Sequence, residues 1–403
     1  MKITDVQTVL LTGPCTNDPF LTEARKRRSA AFIEIHTDTE LIGLGETYAG
    51  YFCPEVVPEI VDFFKPILIG QQVDTIQQLW DRMYHCGNFW CQTGLGLTVI
   101  NGIEAALWDL KGKMLNLPVY ELLGGRKHDQ ILCYATGGPS NYPQEKLAAK
   151  IELYLSLGFK GVKVSAGSLT KDGWYEPDAP SAIAEFEAEK LAFIRTEFGK
   201  QLMVAIDGHM GNSIAKTWDL STAKAVMHAL ESYDLMFFEE PLHYTDPWSY
   251  AELCKSTSIP IAGGECLTGL YEWKVFSDIE GFDIGQPDAS FTGGMGEFMK
   301  IATMLESRGK KIATHAWGAG GSFMQNIHCG FACANTMALE IAPAYGSLHS
   351  EIIGDSFTMK NGMALPPQTP GLGIRLTDEI KRKYPFVRGS GEFNSVPGKI
   401  LRD

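Results

Sequence analysis

The amino-acid sequence predicts an α/β protein, a (β/α)8 barrel of the TIM type with a smaller α+β unit before it. Short apolar runs alternate with helical stretches, and the spacing between runs is close to one βα unit over about 230 residues. A doubly wound parallel sheet is the weaker alternative. The eight predicted barrel strands are Ile131–Thr136, Phe159–Ser165, Leu202–Asp207, Leu235–Glu239, Ile259–Ala262, Phe282–Gln286, Lys311–His315 and Met337–Ile341.

Three segments are expected along the chain. Residues 1–126 are predicted to form the α+β unit, 127–360 the barrel, and 361–403 a tail that packs back onto the first unit. The first unit is predicted to contain strands at Ile3–Leu11, Ala30–His36 and Leu41–Thr47 and helices near Glu55–Lys65, Thr75–Tyr84 and Thr98–Met114. A turn at residues 38–40 predicts that the second and third strands form a hairpin.

The composition excludes several classes of protein. Of 403 residues, 45% are hydrophobic and 21% charged, which is typical of a globular chain with a large core. The net charge of −13 argues against nucleic acid or an anionic membrane as a partner. No apolar run reaches the roughly eighteen residues that span a bilayer, and the first residues do not resemble a signal peptide. Nine cysteines without a CxxC pair predict reduced thiols in a cytoplasmic protein.

Ionisable residues lie at or just beyond the carboxyl ends of the predicted strands. They are Lys163, Asp207, Glu239, Glu265, Asp288, His315 and Glu340, and from Asp207 onward they are spaced by 23 to 32 residues. Any one of them alone would be explained as a solvated loop charge. Because all strand ends of a barrel converge on one face, the set predicts an active site there.

Asp207, Glu239 and Glu265 offer only oxygen ligands. This donor set suits Mg²⁺, with Mn²⁺ as a substitute, and disfavours zinc. Glu239 and Glu240 are adjacent, so strand alternation predicts that only one of them faces the site, and periodicity alone does not decide which. The chain therefore carries the ligands for a hard divalent cation.

Asp288 and His315 end neighbouring strands and are predicted to form a carboxylate–imidazole dyad. The carboxylate would fix the tautomer of the imidazole and raise its basicity, as a general base requires. Lys163 and Ser165 share the inward parity of the second strand, which places the lysine among the carboxylates. Each residue alone has a structural explanation, a satisfied core histidine or an ion-pair partner.

Several ordered motifs resemble the mandelate racemase subgroup of the enolase superfamily over essentially the whole chain. They are Ala106-Leu107-Trp108-Asp109-Leu110-Lys111-Gly112-Lys113, Leu122-Leu123-Gly124-Gly125, Gly158-Phe159-Lys160, Phe238-Glu239-Glu240-Pro241-Leu242, Gly264-Glu265, Gln286-Pro287-Asp288 and Thr314-His315. The resemblance implies a capping domain built from both chain termini and a barrel with a Mg²⁺ site. It implies roles for six residues: metal ligation by Asp207, Glu239 and Glu265, base catalysis by Asp288 with His315, and a hydrogen bond from Glu340 to the substrate carboxylate or enolate.

Two departures from that family narrow the function. Racemases of the group carry Lys-x-Lys on the second strand, whereas this chain has Lys163-Val164-Ser165 and lacks the second base. After the third strand it has Asp207-Gly208-His209, which is similar to galactonate and mannonate dehydratases, where the histidine is the acid that expels a hydroxyl. The alternative for His209 is a structural role or a position close to the metal ligands without a part in proton transfer. Those dehydratases usually continue with Gly-Arg, and here Met210-Gly211-Asn212 follows, which leaves the substrate open.

The loop before the second strand of the first unit carries the basic run Arg25–Arg28. It is interpreted either as a solvated face or as a contact to an anionic substrate, with Arg28 and Tyr48 as candidate substrate-binding residues. In this architecture the loop is expected to cover the barrel mouth as a lid. Tyr48, Tyr51 and Trp90 are candidates either for this lid or for core or surface packing. Glycine runs at 293–296 and 318–321 predict tight turns at strand ends and no nucleotide site. Residues 165–180 are predicted to be an inserted loop.

The sequence therefore predicts a Mg²⁺-dependent lyase that dehydrates a sugar acid, an aldonate or aldarate, to a 2-keto-3-deoxy acid through a metal-stabilised enediolate. In this scheme Lys163 and Glu340 contact the substrate and stabilise the enediolate. The alternatives are an epimerase or cycloisomerase using the same enolate chemistry, and a non-catalytic protein that binds a sugar acid. A homo-oligomer is expected, because it is usual among relatives of this type.

Overall fold

The computed structural model describes residues 1–20, 26–137, 143–170, 173–175, 177–211, 217–343 and 345–391. Its strands in chain order are β1 (Ile3–Pro14), β2 (Arg27–Thr37), β3 (Ile42–Thr47), β4 (Ile131–Ala135), β5 (Gly161–Ser165), β6 (Ser168–Thr170), β7 (Gly173–Tyr175), β8 (Met203–Asp207), β9 (Phe238–Glu239), β10 (Ile261–Gly263), β11 (Ile284–Gly285), β12 (Lys311–Thr314), β13 (Thr336–Ile341), β14 (Thr358–Lys360) and β15 (Met363–Leu365).

The barrel is formed by β4, β5 and β8 to β13, which pair in parallel in that order. The ring closes where β13 pairs with β4, from Ala338 opposite Leu132 to Ile341 opposite Ala135. All eight predicted barrel strands are confirmed, and the doubly wound alternative is wrong because that sheet would stay open. The strands are buried on both faces, which is why each appears in the sequence as a nearly continuous apolar run.

Helices surround the barrel, and buried side chains of mixed size fill its interior. The α-helices of the described residues are Ala49–Phe52, Val57–Leu68, Ile76–Cys86, Leu95–Leu115, Val119–Leu122, Gln144–Ser156, Pro180–Phe198, Leu220–Leu230, Pro247–Ser256, Leu270–Asp278, Met295–Glu306, Gly321–Ala332, Ser347–Ile353 and Asp378–Lys383, with 3-10 turns at Pro54–Val56 and Glu231–Tyr233. Inside the ring, four alanines pack with Tyr134 and Phe237. The barrel interior is therefore a packed core, and barrels of this type place their sites at the mouth, where the carboxyl ends of the strands meet.

The N-terminal unit is an antiparallel sheet, β1–β2–β3, covered by helices. The predicted hairpin is confirmed by the antiparallel pairing of β2 with β3. Helix Leu95–Leu115 lies so close to β3 that a Cβ added at Gly43 or Gly45 would come within 2.2 Å of a carbonyl oxygen of that helix. Glycine at these two positions permits the close packing of helix on sheet.

The chain after the barrel returns to the N-terminal unit. β14 and β15 form a hairpin, and β15 adds antiparallel to β4. Farther on, the backbone N–H of Leu372 donates to Asp109 Oδ1 at 2.7 Å, and Pro385 bridges Leu11. The predicted tail residues 392–403 lie outside the described part of the chain. The domain boundaries at 126 and 360 stay a prediction.

Two further features bear on the predictions from composition. Within the described residues, no helix combines the length and the apolar character that a membrane crossing requires. The nine cysteines are free thiols. Cys329 and Cys333 are buried one helical turn apart, and Cys333 Sγ lies 3.4 Å from Met299 Sδ. These two thiols therefore belong to the apolar core.

Candidate active site

The carboxyl ends of four barrel strands bring three carboxylates to one buried ammonium group. Lys163 Nζ lies 2.7 and 2.8 Å from the two carboxylate oxygens of Glu239. It also lies 3.2 Å from Asp207 Oδ2 and 2.8 Å from Glu340 Oε1. Gln286 Nε2 donates to Glu239 Oε2 at 2.5 Å. The inward direction predicted for Lys163 places it at the centre of this group.

Charge at this centre is unbalanced. Burial alone would lower the pKa of Lys163, but the surrounding Asp207, Glu239 and Glu340 raise it well above its usual value. Burial and the nearby charge of Asp207 raise the pKa of Glu239 well above the usual range for a carboxyl. One ammonium therefore does not offset the negative charge gathered at the strand ends.

Glu265, just beyond β10, lies between two histidines. Its Oε1 is 3.5 Å from His209 Nε2, and its Oε2 is 3.6 Å from His315 Nε2. Burial would raise the pKa of Glu265, but the positive charge available on His315, His209 and Lys163 lowers it to about 2. The structure thus brings together the predicted metal-ligand candidates and both histidines of interest in one site.

The predicted dyad is present. His315 Nδ1 lies 2.7 Å from Asp288 Oδ2, and because a carboxylate accepts, Nδ1 carries the proton. The other oxygen of Asp288 accepts from the backbone N–H of Ser290 at 2.7 Å, the Ser290 hydroxyl at 2.6 Å and Asn326 Nδ2 at 2.8 Å. His315 Nε2 faces the site, 4.0 Å from Glu340 Oε2. An imidazole held in this way can take a proton on Nε2 when it is neutral.

His209 is held far more loosely. It follows the end of β8 with a left-handed φ of 51°, and its backbone N–H donates to Asp207 Oδ1 at 2.9 Å. Its side chain is 45% exposed, whereas that of His315 is 11% exposed. Burial would lower the pKa of His209, but the charges of Asp207, Glu265 and Glu240 raise it. A half-exposed imidazole at this place can donate a proton to a bound molecule when it is in its protonated form.

The expectation that only one carboxylate of the Glu239–Glu240 pair faces the site is wrong. β9 ends at Glu239, and Glu240 has a φ of 39°, so strict alternation stops between them. Glu240 is buried and accepts from the backbone N–H of Gly211 at 3.3 Å. Burial first, and then the charge of Glu265, raises the pKa of Glu240 to about 8. Both carboxylates therefore reach the charged group.

The side chains fit a divalent cation. Burial would lower the pKa of His315, but Glu265, Asp288 and Glu340 raise it to about 10, so the imidazole would be protonated at neutral pH. A cation held among the carboxylates would offset the same negative charge. Ligand atoms of Glu240, Glu265 and Cys266 lie within 4.8 Å of one another, a set that differs from the predicted one. A thiol suits softer metals, so oxygen-binding Mg²⁺ favours the all-carboxylate set.

Aromatic side chains and one arginine cover one side of the site. The Arg28 guanidinium lies 4.1 Å above the ring of Trp317, and Trp317 Nε1 donates to the hydroxyl of Tyr51 at 2.7 Å. Tyr48 stacks on Tyr51 at 5.3 Å and meets His315 edge-on at 5.8 Å. Of the two residues predicted to bind substrate, Tyr48 therefore lies beside the dyad, and Arg28 packs on Trp317 and Tyr51.

Two other lid predictions have different outcomes. Trp90 packs against Phe63 and Phe64, with ring centres 5.2 and 5.7 Å apart, in the N-terminal unit. It belongs to that packing cluster and does not join the aromatic side chains around Tyr48. Arg25 of the basic run lies outside the described residues.

The predicted insertion after β5 contains the short antiparallel hairpin β6–β7. Glu187 and Lys190, on the next helix, hold its base. Glu187 Oε1 accepts from the backbone N–H of Gly167 at 2.7 Å, and Lys190 Nζ donates to the carbonyl oxygens of Ser165 at 2.9 Å and Gly167 at 2.7 Å. These contacts fix the point where the insertion leaves the barrel.

Two buried glutamates of the N-terminal unit cap barrel helices, and neither was predicted from the sequence. Glu46 accepts from the backbone N–H groups of Ala319 and Ser322, each at 2.8 Å. Glu104 accepts from those of Met295 at 2.6 Å and Gly296 at 3.0 Å. Burial, partly offset by these hydrogen bonds, raises the pKa of each glutamate to about 7.

The glycine runs noted in the sequence explain these caps. Helices Met295–Glu306 and Gly321–Ala332 both have a glycine at the N-cap, so each begins without a capping side chain of its own. The sequence shows this lack, but it does not show which distant carboxylate supplies the cap. Asn326 and Ser290, which hold Asp288, were missed for the same reason.

Two family models match this chain, and both describe domains of the enolase type. Residues 146–380 match the enolase C-terminal domain-like family. Residues 6–124 match the N-terminal domain of the mandelate racemase / muconate lactonizing enzyme family. The two matches together take in the N-terminal sheet and most of the barrel.

Individual relatives include more than one activity. Arabinonate dehydratase of Saccharolobus solfataricus is 30% identical over 354 residues, 87% of this chain and 89% of that protein. The structure of 3,6-anhydro-D-galactonate cycloisomerase from Zobellia galactanivorans gives a TM-score of 0.81 at 29% identity and covers 96% of this chain and 100% of that one. L-Talarate dehydratase from Polaromonas sp. JS666, complexed with Mg and L-glucarate, gives a TM-score of 0.78 at 26% identity, with coverages of 96% and 98%.

Proposed function

We propose that this chain, which belongs to the mandelate racemase / muconate lactonizing enzyme family of the enolase superfamily, is a metal-dependent sugar-acid dehydratase. Its substrate would be an aldonate or aldarate, and its product a 2-keto-3-deoxy acid. The observation that carries the proposal is the placing of two histidines on either side of Glu265, at 3.5 and 3.6 Å. One is oriented as a base and the other is free to act as an acid.

The metal ligands in this proposal are Asp207, Glu239 and Glu265, with Mg²⁺ as the ion and Mn²⁺ as a substitute. Carboxylate oxygens are the ligands that these hard cations prefer. The chemistry that the cation supplies when bound is polarisation of the substrate carboxylate, which makes the adjacent C–H more acidic.

His315 removes the α-proton through Nε2. The N–H group at Nδ1 keeps its hydrogen bond to Asp288. The imidazole therefore keeps its tautomer and its orientation while Nε2 takes the proton. Negative charge then develops on the substrate carboxylate. Lys163 donates hydrogen bonds to those oxygens, and Glu340, 4.0 Å from His315 Nε2, orients the same end of the substrate.

His209 completes the elimination. It gives its proton to the hydroxyl on the β-carbon as the C–O bond breaks, and water leaves. The electron pair left by the α-proton forms the C=C bond of an enol, which tautomerises to the 2-keto-3-deoxy acid. A racemase has a second lysine on the opposite face of the substrate, and its ammonium form returns the proton there. This chain has Ser165 at that position, so that lysine's proton transfer is missing.

Arg28 and Tyr48 are proposed to bind the part of the substrate farther from the reacting carbons. The guanidinium carries the positive charge that an acidic sugar requires, and its stacking on Trp317 limits its rotation. The tyrosine forms the wall beside His315. We also propose a cytoplasmic homo-oligomer, with a net charge that disfavours nucleic acid and anionic membranes.

A cycloisomerase is the second candidate, because one similar structure has that activity and the dyad would serve it equally well. The test is a library of aldonates, aldarates and their lactones, incubated with the Mg²⁺-loaded protein in D2O. The expected result is a 2-keto acid, absent after EDTA treatment and restored by Mg²⁺ better than by Zn²⁺. An isomer without a 2-keto acid would favour the cycloisomerase. No α-hydrogen exchange with any acid would overturn both enzymatic proposals.

A further inference from the structure

The carboxylate of Asp288 is held by more than its histidine. Its Oδ1 receives three donors, two from Ser290 and one from Asn326 Nδ2 at 2.8 Å. Asn326 is fully buried, and its Oδ1 accepts from the backbone N–H of Ala289 at 2.8 Å. With Oδ1 occupied in this way, Oδ2 is the oxygen that faces His315. Asn326 therefore fixes both the Asp288 side chain and the backbone next to it.

Asn326 lies on the helix that the N-terminal unit caps. Helix Gly321–Ala332 begins at a glycine N-cap, and Glu46 of β3 accepts from the N–H groups of Ala319 and Ser322 at 2.8 Å. Ser322, at the capped end, is also the residue whose carbonyl oxygen accepts from Asn326 Nδ2 at 3.0 Å. One continuous path of hydrogen bonds thus runs from Glu46 to Asp288.

A second contact follows from the same strand. Two residues after Glu46, the backbone N–H of Tyr48 donates to the carbonyl oxygen of Ser290 at 3.3 Å, and the Tyr48 ring meets His315 edge-on. The N-terminal unit therefore contacts His315 directly and Asp288 through Ser290, which donates to the Asp288 carboxylate. A shift of β3 would be transmitted to Asp288 through the helix and to His315 through the tyrosine.

We propose that Asn326 and Glu46 are positioning residues for the Asp288–His315 base, so that docking of the N-terminal unit sets the direction of the imidazole. This rests on the proposed function in taking His315 as the base. Small errors in the position of a catalytic group can lower the rate by about 10²-fold. Loss of the buried amide of Asn326 or of the helix cap by Glu46 is therefore expected to lower the rate measurably.

The structure supplies a matched control. Glu104 also comes from the N-terminal unit, is also buried, and also caps a barrel helix, Met295–Glu306. Among the described residues, no hydrogen bond joins a side chain of that helix to Asp288 or His315. Glu104→Gln should therefore weaken domain docking about as much as Glu46→Gln while leaving the dyad unchanged.

The experiment compares Asn326→Leu, Glu46→Gln and Glu104→Gln in the full-length protein with Mg²⁺. The first measurement needs no substrate: the downfield N–H resonance of His315 in proton NMR, assigned by its loss in His315→Asn. The expected result is a clear upfield shift or broadening in Asn326→Leu, a smaller change in Glu46→Gln and none in Glu104→Gln. Equal thermal denaturation midpoints of the two glutamate variants would show that docking is weakened to the same extent.

The second measurement is turnover of whichever acid the library identifies. The expected result is a fall in kcat of roughly tenfold or more for Asn326→Leu with KM nearly unchanged, and a smaller fall for Glu46→Gln. If the His315 N–H resonance is unchanged in both Asn326→Leu and Glu46→Gln, the positioning proposal is overturned even if the dehydratase activity is confirmed. A changed resonance without any substrate found would uphold it and count only against the proposed function. If Asn326→Leu does not fold, Glu46→Gln against Glu104→Gln decides the question alone.

Discussion

The two histidines of the site are held in opposite ways. His315 is buried, has Nδ1 on Asp288 at 2.7 Å and touches the ring of Tyr48. His209 is 45% exposed, has a left-handed φ, and its ring Nε2 lies 3.5 Å from Glu265 Oε1. One imidazole, that of His315, is thus held by buried contacts, and the other, that of His209, lies at the exposed edge of the site.

This difference corresponds to the two steps proposed. Removal of a weakly acidic α-proton needs a base whose direction is fixed before the substrate arrives, because reorganisation would add to the barrier. Protonation of a departing hydroxyl needs a group that meets the substrate on its other side, and the substrate itself can complete its orientation. The comparison therefore predicts different consequences when either histidine is removed.

The largest effect is expected for His315→Asn. Asparagine can still donate to Asp288 but cannot take the α-proton, so both hydrogen exchange and product formation should fall by about 10²–10⁴-fold or more. Exchange is measured by NMR of the substrate in D2O, and product as 2-keto acid. Metal analysis of the variant provides the control. Persistent exchange with normal metal content would mean that His315 is not the base.

The second prediction separates the steps. His209→Asn should keep α-hydrogen exchange while losing roughly 10²–10⁴-fold in product formation, because only the leaving-group acid is removed. Asparagine is the suitable replacement since it tolerates the left-handed φ of 51°. Loss of exchange along with product would make His209 part of the base. Full dehydration by this variant would leave His209 a structural residue and remove the main support for a dehydratase.

The third prediction concerns the metal and is decided by the order of two effects. Glu239→Gln should weaken Mg²⁺ binding by roughly tenfold or more, and Glu240→Gln clearly less, if Asp207, Glu239 and Glu265 are the ligands. Calorimetric titration of Mg²⁺ into each metal-free variant gives the two affinities. The reverse order would place the cation on the side of Glu240, Glu265 and Cys266.

The smallest expected effect is on stability, at Glu104. Its pKa rises from the ordinary 4.5 to about 7 in the folded protein, so folding binds a proton more tightly. This group therefore favours the folded state fully below pH 4.5, and the contribution is lost as the pH rises through about 7. Glu104→Gln should flatten the fall in unfolding free energy between pH 5 and 8 by on the order of 1 kcal/mol. Urea denaturation at pH 5 and pH 8 measures the two unfolding free energies. The same difference between them in the variant and in the parent protein would contradict a raised pKa of Glu104 in the folded state.

The barrel and most of the site residues can be predicted from the amino-acid sequence. Apolar runs of strand length separated by helices allow few arrangements, and parallel strands that close into a ring bring their carboxyl ends to one face. Lys163, Asp207, Glu239, Asp288, His315 and Glu340 could therefore be assigned to a common site from their positions after or within strands. Those positions follow from the direction of each strand and from the regular spacing of the βα units, both of which can be read from short stretches of sequence.

Only the tertiary structure decided the rest. Glu240 reaches the charged group because the backbone turns to a positive φ directly after β9, a feature that side-chain alternation cannot predict. Glu46 and Glu104 cap helices that lie more than 190 residues later in the chain, and Asn326 holds a carboxylate 38 residues before it. These contacts join a side chain to groups on another element. They depend on how the N-terminal unit packs on the barrel, and no local pattern of polar and apolar residues records that.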